Sequence, residues 1–326
     1  MNSLFFSPVR FKGNFVRTCP GTPQYICCGY YVVNLGNHCS LDCAYCILQA
    51  YFEQERPVLH VNIDDLLAEL GKLLSENPRR KFRIGTGEFG DSMELENELG
   101  LARRLIPLTG RYPNLAWEFK TKTAFIKPFL QLSPNNRVIL SWSLNSFEMA
   151  GLYERKAPAV EQRIEAAAQA VEAGYRVGFH FDPLIRYPAW REGYQETLGL
   201  LSEKIPSDRI AWISLGCFRF MPRLKEIIRK HHPDRELLNA EFIPAGDGKM
   251  RYFKPLRLEM YSLMLEEIRK TLPSVCVYLC MENADVWRRV FGFIPGESGC
   301  PSLGEMLDSC CWINSKSLPR KKKQAS

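Results

Sequence analysis

Through the middle of the chain, short apolar runs rich in β-branched and aromatic residues alternate with stretches of helical period. The runs fall at residues 30–35, 82–84, 115–119, 137–144, 176–181 and 209–218. Between the first two, Ile63, Leu66, Leu67, Leu70 and Leu74 follow the cap residue Asn62 at helical spacing. Val160, Ile164, Ala167 and Val171 repeat that pattern and stop at Gly174, a residue suited to the left-handed position after a helix. Strands joined by helix-length crossovers run parallel, because a hairpin cannot connect them that way. Six such units predict an α/β fold with helices outside a parallel sheet, either an incomplete barrel or an open sheet. No repeat of about 20–50 residues is present, which argues against a solenoid.

Beyond Met221 the pattern changes. Leu224, Ile227 and Ile228 mark the apolar face of a basic helix over 223–232, and Leu256, Met260, Leu263, Met264 and Ile268 mark another. One more strand is expected at 274–279, then a short helix through Trp287 to Val290. Pro295, Gly296, Ser298, Gly299 and Pro301 indicate a loop-rich end. The chain thus divides into an N-terminal extension (1–28), a core (29–221), a mainly helical cap (222–293) and a loop-rich tail with a basic end (294–326).

Composition narrows the class. With 326 residues, 46% hydrophobic and 24% charged, the chain has the proportions of a globular protein, not of a disordered or collagenous one. No stretch approaches the roughly 18 consecutive apolar residues of a membrane span, so no membrane partner is expected. The first residues lack the apolar segment of a secretory signal, so a cytoplasmic address is expected. Of the net charge of +7, four positive charges sit at Arg320, Lys321, Lys322 and Lys323. That run is either a solvated end or a weak tether to nucleic acid. Twelve cysteines in a reducing compartment point to metal or redox chemistry and away from disulfides.

The sharpest local signal is Cys39-Ser-Leu-Asp-Cys43-Ala-Tyr-Cys46, which follows the first predicted strand. Three thiolates within eight residues can curl around one soft metal centre. Zinc is an alternative, with His38 or Asp42 as fourth ligand. A four-iron cluster held by only three cysteines leaves one iron open for the amino and carboxylate groups of S-adenosylmethionine. An electron from such a cluster cleaves the sulfonium to methionine and a 5′-deoxyadenosyl radical, while the protein positions the cofactor. The spacing resembles the signature of the radical SAM superfamily, as does aromatic Tyr45 before the last cysteine.

Parallel α/β barrels place their sites at the carboxyl ends of their strands. Here those ends carry Gly85-Thr86-Gly87-Glu88, Lys120-Thr121-Lys122, Ser143-Leu144-Asn145-Ser146 and His180-Phe181-Asp182-Pro183. Gly85, Thr86 and Gly87 let backbone approach the cofactor, and Glu88 meets its ammonium group. Lys122 is a partner for the cofactor carboxylate. Ser143 and Asn145 either bond the cofactor or cap the next turn. His180 and Asp182 are candidates for substrate contact, against the plainer reading of satisfied structural residues.

Taken together, these stretches resemble the spore photoproduct lyase family. Thr121-Lys122, the 143–146 motif, Ala173-Gly-Tyr-Arg-Val-Gly-Phe179 and Gly193-Tyr194 recur there in similar order, and the resemblance spans about residues 30 to 215. The chain is similar to the non-sporulating branch, which shares Cys19-Pro-Gly-Thr22, Cys27-Cys28-Gly29-Tyr30, Gly85-Thr-Gly-Glu88 and Tyr278-Leu-Cys-Met-Glu282. The resemblance implies a partial (β/α)6 TIM-type barrel with a [4Fe-4S] cluster on Cys39, Cys43 and Cys46. It also implies S-adenosylmethionine contacted by Lys122 and Ser143, an external electron donor, and a DNA lesion or other modified base as substrate. Two departures stand out. The lyases carry a hydrogen-returning cysteine where this chain has Gly85, and a tyrosine where it has Ile47. Tyr45 is what remains of that constellation as a catalytic residue, with Cys217, Cys280 or a tyrosine as possible substitutes.

The other cysteines have a bland reading as small buried hydrophobes: Cys19, Cys27 and Cys28 beneath the loop, and Cys300, Cys310 and Cys311 only loosely like a second metal site. Basic Arg219, Arg223, Lys225, Arg229, Lys230, Arg251, Lys254 and Arg257, interleaved with Phe218, Phe220, Tyr252 and Phe253, form a candidate nucleic-acid patch or ordinary solvated faces. Two other readings stay open: a radical SAM enzyme with a non-DNA substrate, and a zinc- or cluster-bearing nucleic-acid-binding module without turnover.

Overall fold

Eight strands form the main sheet, in chain order β1 (Val16–Thr18), β2 (Tyr31–Val33), β3 (Phe82–Gly85), β4 (Leu115–Thr121), β5 (Val138–Ser143), β6 (Arg176–Leu184), β7 (Ile210–Cys217) and β8 (Cys276–Leu279). The structure, a computed structural model, describes residues 6–22, 24–52, 56–94, 96–232 and 236–313. Each strand lies beside its predecessor, so the spatial order is the chain order. The β1–β2 pair is antiparallel and all the others are parallel. The sheet curls into a half-barrel whose edges, β1 and β8, do not pair with each other. The strand expected at 274–279 is therefore the last strand of the sheet itself.

Period-two alternation separates two faces of each strand. Trp117 and Phe119 of β4, Leu140 and Trp142 of β5, and Val177 and Phe179 of β6 are almost fully buried on the outer face. The helix Ile63–Glu76 buries Leu66, Leu70 and Leu74, each worth about 1.5–3 kcal/mol once removed from water. Helices Val160–Glu172 and Trp190–Lys204 fill the β5–β6 and β6–β7 crossovers. The alternate residues, Glu118, Ser141, Ser143, His180 and Ser214, are buried yet polar. Strand register sets Ser143 beside His180 and His180 beside Ser214. The barrel therefore has a polar lumen inside an apolar jacket.

Two segments close this lumen. The chain between β1 and β2 reaches across to the far edge, where the Ile26 amide donates to the Glu282 carbonyl at 2.9 Å. At the other end lies helix Leu303–Cys311, where sequence pattern predicted loop. It is started by a capping box in which Ser302 and Glu305 satisfy each other's backbone amides. Arg83, near the amino end of β3, bonds Asp308 at 2.8 Å, and Arg176, at the start of β6, bonds the Cys310 carbonyl. The basic residues 320–323 lie outside the described residues. No helix among the described residues is long and apolar enough to cross a membrane.

Candidate active site

The cysteine loop leaves the carboxyl end of β2 and is pinned from several sides. Asn37 Oδ1 accepts from the Val58 amide at 2.7 Å, and Glu94 Oε1 accepts from the Ser40 amide at 2.8 Å. The Ala44 amide donates to the Tyr153 carbonyl, and Gln49 Nε2 to the Cys43 carbonyl. His38 (φ 66°) and Asp42 (φ 48°) take the left-handed turns, two of the residue types that tolerate them best. Cys39, Cys43 and Cys46 are free thiols. Burial pushes all three up, Cys43 to about 12, while the Lys122 ammonium opposes this at Cys43 and Cys46. Three unpaired soft donors on one short loop beside a cation fit an iron–sulfur cluster. They fit zinc poorly: Asp42 is half exposed and paired with Lys156 at 3.0 Å. Among the described residues, no three His, Cys, Asp or Glu side chains gather closely enough for a single ion.

Lys122 is anchored by its own backbone, whose amide donates to Asp91 Oδ2 at 2.7 Å. Its ammonium lies 5.5 Å from the centre of the Tyr45 ring. The Tyr45 hydroxyl donates to Glu154, which pairs with Arg163 at 2.5 Å in a fully buried cluster. Tyr45 thus belongs to the packing beneath the loop.

The glycines after β3 serve the chain itself. A Cβ on Gly85 would lie 1.5 Å from Tyr30 Oη, and one on Gly87 would lie 2.7 Å from the Lys120 carbonyl and 2.8 Å from Ser92 Oγ. The expected clearance for a cofactor is therefore taken up by protein atoms at both glycines. Thr86 Oγ1 is likewise engaged, with Ser92 Oγ at 2.8 Å. Glu88 pairs with Lys120. Burial disfavours the Lys120 ammonium, but Glu88 and Glu118 outweigh it and hold the group charged.

Inside the half-barrel is a cavity lined by Glu88, Glu118, Lys120, Ser143, His180 and Asp182, among others. Glu118 lines it, its Oε1 accepting from Ser141 Oγ at 2.6 Å, His180 Nε2 at 2.7 Å and Trp212 Nε1 at 3.3 Å. Burial pushes this carboxyl up, but His180, Lys120 and Ser141 together hold it down at about 2. His180 Nδ1 meets Ser214 Oγ at 2.6 Å, completing a chain from β4 to β7. Asp182 takes Arg219 in a bidentate pair at 3.0 and 3.1 Å, and Arg219 keeps it ionised against its burial. Tyr30 is buried against the cavity. Burial first, then Glu118 and Glu88, keeps that phenol protonated.

A family model for spore photoproduct lyase matches residues 26–277. The chain belongs to the spore photoproduct lyase family. It is accordingly a radical SAM enzyme. The spore photoproduct lyase of Clostridium acetobutylicum is 26% identical over 245 residues, 73% of each chain. That of Bacillus subtilis is 24% identical over 233 residues, 69% of this chain and 68% of its own. Among solved structures, a spore photoproduct lyase complexed with dinucleoside spore photoproduct has a TM-score of 0.74 at 21% identity, covering 84% of this chain and 82% of that one. A mutant lyase with bound AdoMet and the same dinucleoside gives 0.73 at 22%, covering 84% and 81%. These structures share the half-barrel fold.

Against that family background, the residues singled out in the sequence separate into two groups. Glu88, Ser143, His180 and Asp182 line the cavity, whereas the loop cysteines and Lys122 are not among its lining residues; Lys122 acts on Cys43 and Cys46. Asn145 is turned away: its side chain accepts from the Tyr194 hydroxyl at 2.7 Å and donates to the Pro183 carbonyl, so it braces the turn before helix Phe147–Tyr153. Folding divides the basic and aromatic patch, leaving Phe253 exposed at 45%. Phe218, Phe220 and Tyr252 are core residues, while Arg219, Arg251 and Arg257 are spent on Asp182, Asp247 and Glu282. Arg223, Arg229 and Lys230 remain exposed on helix Pro222–His231. Of the proposed substitutes for the missing cysteine, Cys217 is buried in the core and Cys280 lines the cavity. Glu118 and Tyr30 escaped notice because each sits within an apolar run. The period-two alternation of β4 was the available signal for Glu118.

Proposed function

We propose that Cys39, Cys43 and Cys46 hold a [4Fe-4S] cluster whose open iron takes S-adenosylmethionine, and that the substrate is a DNA lesion or another modified base. The observation that carries this reading is the free three-thiol loop at the carboxyl end of β2 in a radical SAM enzyme whose half-barrel encloses a cavity. When bound, the cluster and S-adenosylmethionine supply reductive sulfonium cleavage and hydrogen abstraction.

The chain's own residues supply the setting. Lys122 places a fixed cation beside Cys43 and Cys46, which favours their thiolate form and an anionic centre. Ser143 and the Glu88–Lys120 pair offer a hydroxyl, a carboxylate and an ammonium to the amino-acid part of the cofactor. Glu118 fixes His180 through Nε2, and Ser214 fixes it through Nδ1, so the imidazole presents one constant edge to a substrate. Extruding a damaged base into such a cavity costs a few kcal/mol, less than for an intact pair. An external donor provides the electron.

The test is 5′-deoxyadenosine formation after anaerobic reconstitution with iron and sulfide, under reduction, with and without ultraviolet-irradiated DNA. Formation raised by irradiated DNA and lost in Cys43→Ala is expected. Formation indifferent to DNA moves the substrate to another class. Bound zinc with no cleavage overturns the cofactor assignment.

A further inference from the structure

Beneath the cysteine loop lies a carboxylate that no sequence motif marked. Glu154 ends helix Phe147–Tyr153 and is only 2% exposed. This helix end meets the loop at two successive residues, both between the second and third cysteines. The Ala44 amide donates to the Tyr153 carbonyl at 2.9 Å, and the Tyr45 hydroxyl donates to Glu154 Oε1. The backbone of Glu154 is fixed as well. Its amide donates to the Ala150 carbonyl at 2.9 Å, and its carbonyl accepts from the Ala157 amide at 2.9 Å.

The counter-ion of Glu154 faces away from the loop. Arg163, fully buried, pairs with Glu154 Oε2 at 2.5 Å and also donates to the Ser143 carbonyl at 3.1 Å and the Pro158 carbonyl at 2.9 Å. The pair is a buried dipole whose negative end is on the loop and whose positive end is on β5. Cys43 accordingly feels Glu154 more strongly than Arg163. Burial opposes the Glu154 charge, but Lys122, Arg163 and Tyr45 outweigh it and hold the carboxyl ionised. Three other carboxylates stand on or near the loop, in different settings. Asp42 is half exposed and paired with Lys156. Asp91 is taken up by the Met93 and Lys122 amides and the Thr121 hydroxyl. Burial pushes Glu94 towards its neutral form.

We propose that Glu154 sets the reduction potential of the iron–sulfur centre on the loop, as a buried anion that makes the centre a stronger reductant. This rests on the cluster assignment made above and deepens it. An anion beside a cluster disfavours an added electron, and nearby charge and exposure are among the main determinants of cluster potential. A buried charge acts through a low dielectric and is screened little by salt. Reductive cleavage of a sulfonium calls for a strongly reducing electron, which the external donor delivers to the centre. Glu154 acts through the field it places on the loop, so it is a positioning residue and not a catalytic one.

The experiment is a spectroelectrochemical titration of the reconstituted full-length protein, without S-adenosylmethionine and at mildly alkaline pH, after its iron has been counted. Glu154→Gln keeps the shape and removes the charge. It is expected to raise the ratio of reduced to oxidised centre at a fixed potential about tenfold, or about 59 mV for one electron. Glu154→Asp keeps the charge and should stay within about twofold of wild type. Arg163→Met removes the opposing charge and should shift the ratio the other way. A Glu154→Gln ratio within about twofold of wild type overturns the proposal, as does a Glu154→Asp shift equal to that of Glu154→Gln. Should Glu154→Gln fail to fold by circular dichroism, the Arg163→Met shift decides: a lower ratio supports the proposal, and an equal or higher one overturns it. A wild type that assembles no iron–sulfur centre overturns the function proposed above as well. An intact centre of unmoved potential overturns this inference alone.

Discussion

The two groups of thiols in this protein are assembled in opposite ways. Cys39, Cys43 and Cys46 stand within eight residues, so local chain geometry alone brings them together. Cys19, Cys27, Cys28 and Cys280 come from opposite ends of the chain and line one cavity only because the first and last strands of the half-barrel are bridged by the segment ending at Ile26. The first group lies beside a lysine on a loop held by neighbouring backbone. The second faces arginines whose own anchors, Asp182 and Asp308, belong to still other segments. A grouping of local origin tolerates drift in the rest of the fold, and one of tertiary origin does not.

That contrast can be broken most directly at the loop. Cys43→Ala is expected to lower 5′-deoxyadenosine formation by more than about 100-fold, since disturbing only the outer shell of a metal site already costs 10–100-fold. Chromatographic quantitation after reconstitution checks this. The lumen comes next. Glu118→Ala strands buried His180, Ser141 and Trp212 together, and breaking a buried pair in this way costs about 3–5 kcal/mol of stability, read from urea unfolding.

The same carboxyl gives a pH signature. Its folded pKa of about 2 lies below the ordinary value of 4.5, so its contribution is complete above about pH 4.5 and is lost as pH falls towards 2. The acid limb of the stability profile of Glu118→Gln should be flatter than wild type through that window. Gly85→Ala forces its methyl group against Tyr30 and should cost about 1–3 kcal/mol by overpacking. The smallest effect belongs to Lys156→Ala. Its ion pair with Asp42 is exposed on both sides, so a loss of no more than about 1 kcal/mol is expected, with iron content unchanged.

How much was legible beforehand follows from the range of each signal. Alternating strand and helix periods located six of the seven parallel strands, and the seventh was visible as an isolated apolar run. The cysteine triplet and the strand-end position of Ser143 were equally readable, since each depends on spacing within one element, whereas His180 falls in the middle of β6 because that strand runs on to Leu184. Asn145 was ambiguous, because the same side chain caps a turn or contacts a ligand, and only Tyr194 and the Pro183 carbonyl decide between them. The basic and aromatic patch misled for a related reason. Charge and aromaticity are written in the sequence, but whether Arg257 is free or bound to Glu282 is not.

By itself, then, the sequence determined the parallel α/β winding and the three-thiol loop, because both arise from interactions over a few residues. Tertiary structure alone decided that Tyr30 occupies the space over Gly85, that Glu118 of β4 anchors His180 of β6, and that Cys280 lines the same cavity as cysteines from the other end of the chain. Those outcomes depend on strand register and on how the open edges of the half-barrel are bridged. Register and closure are set by packing summed over the whole core, and no short window of sequence contains that sum.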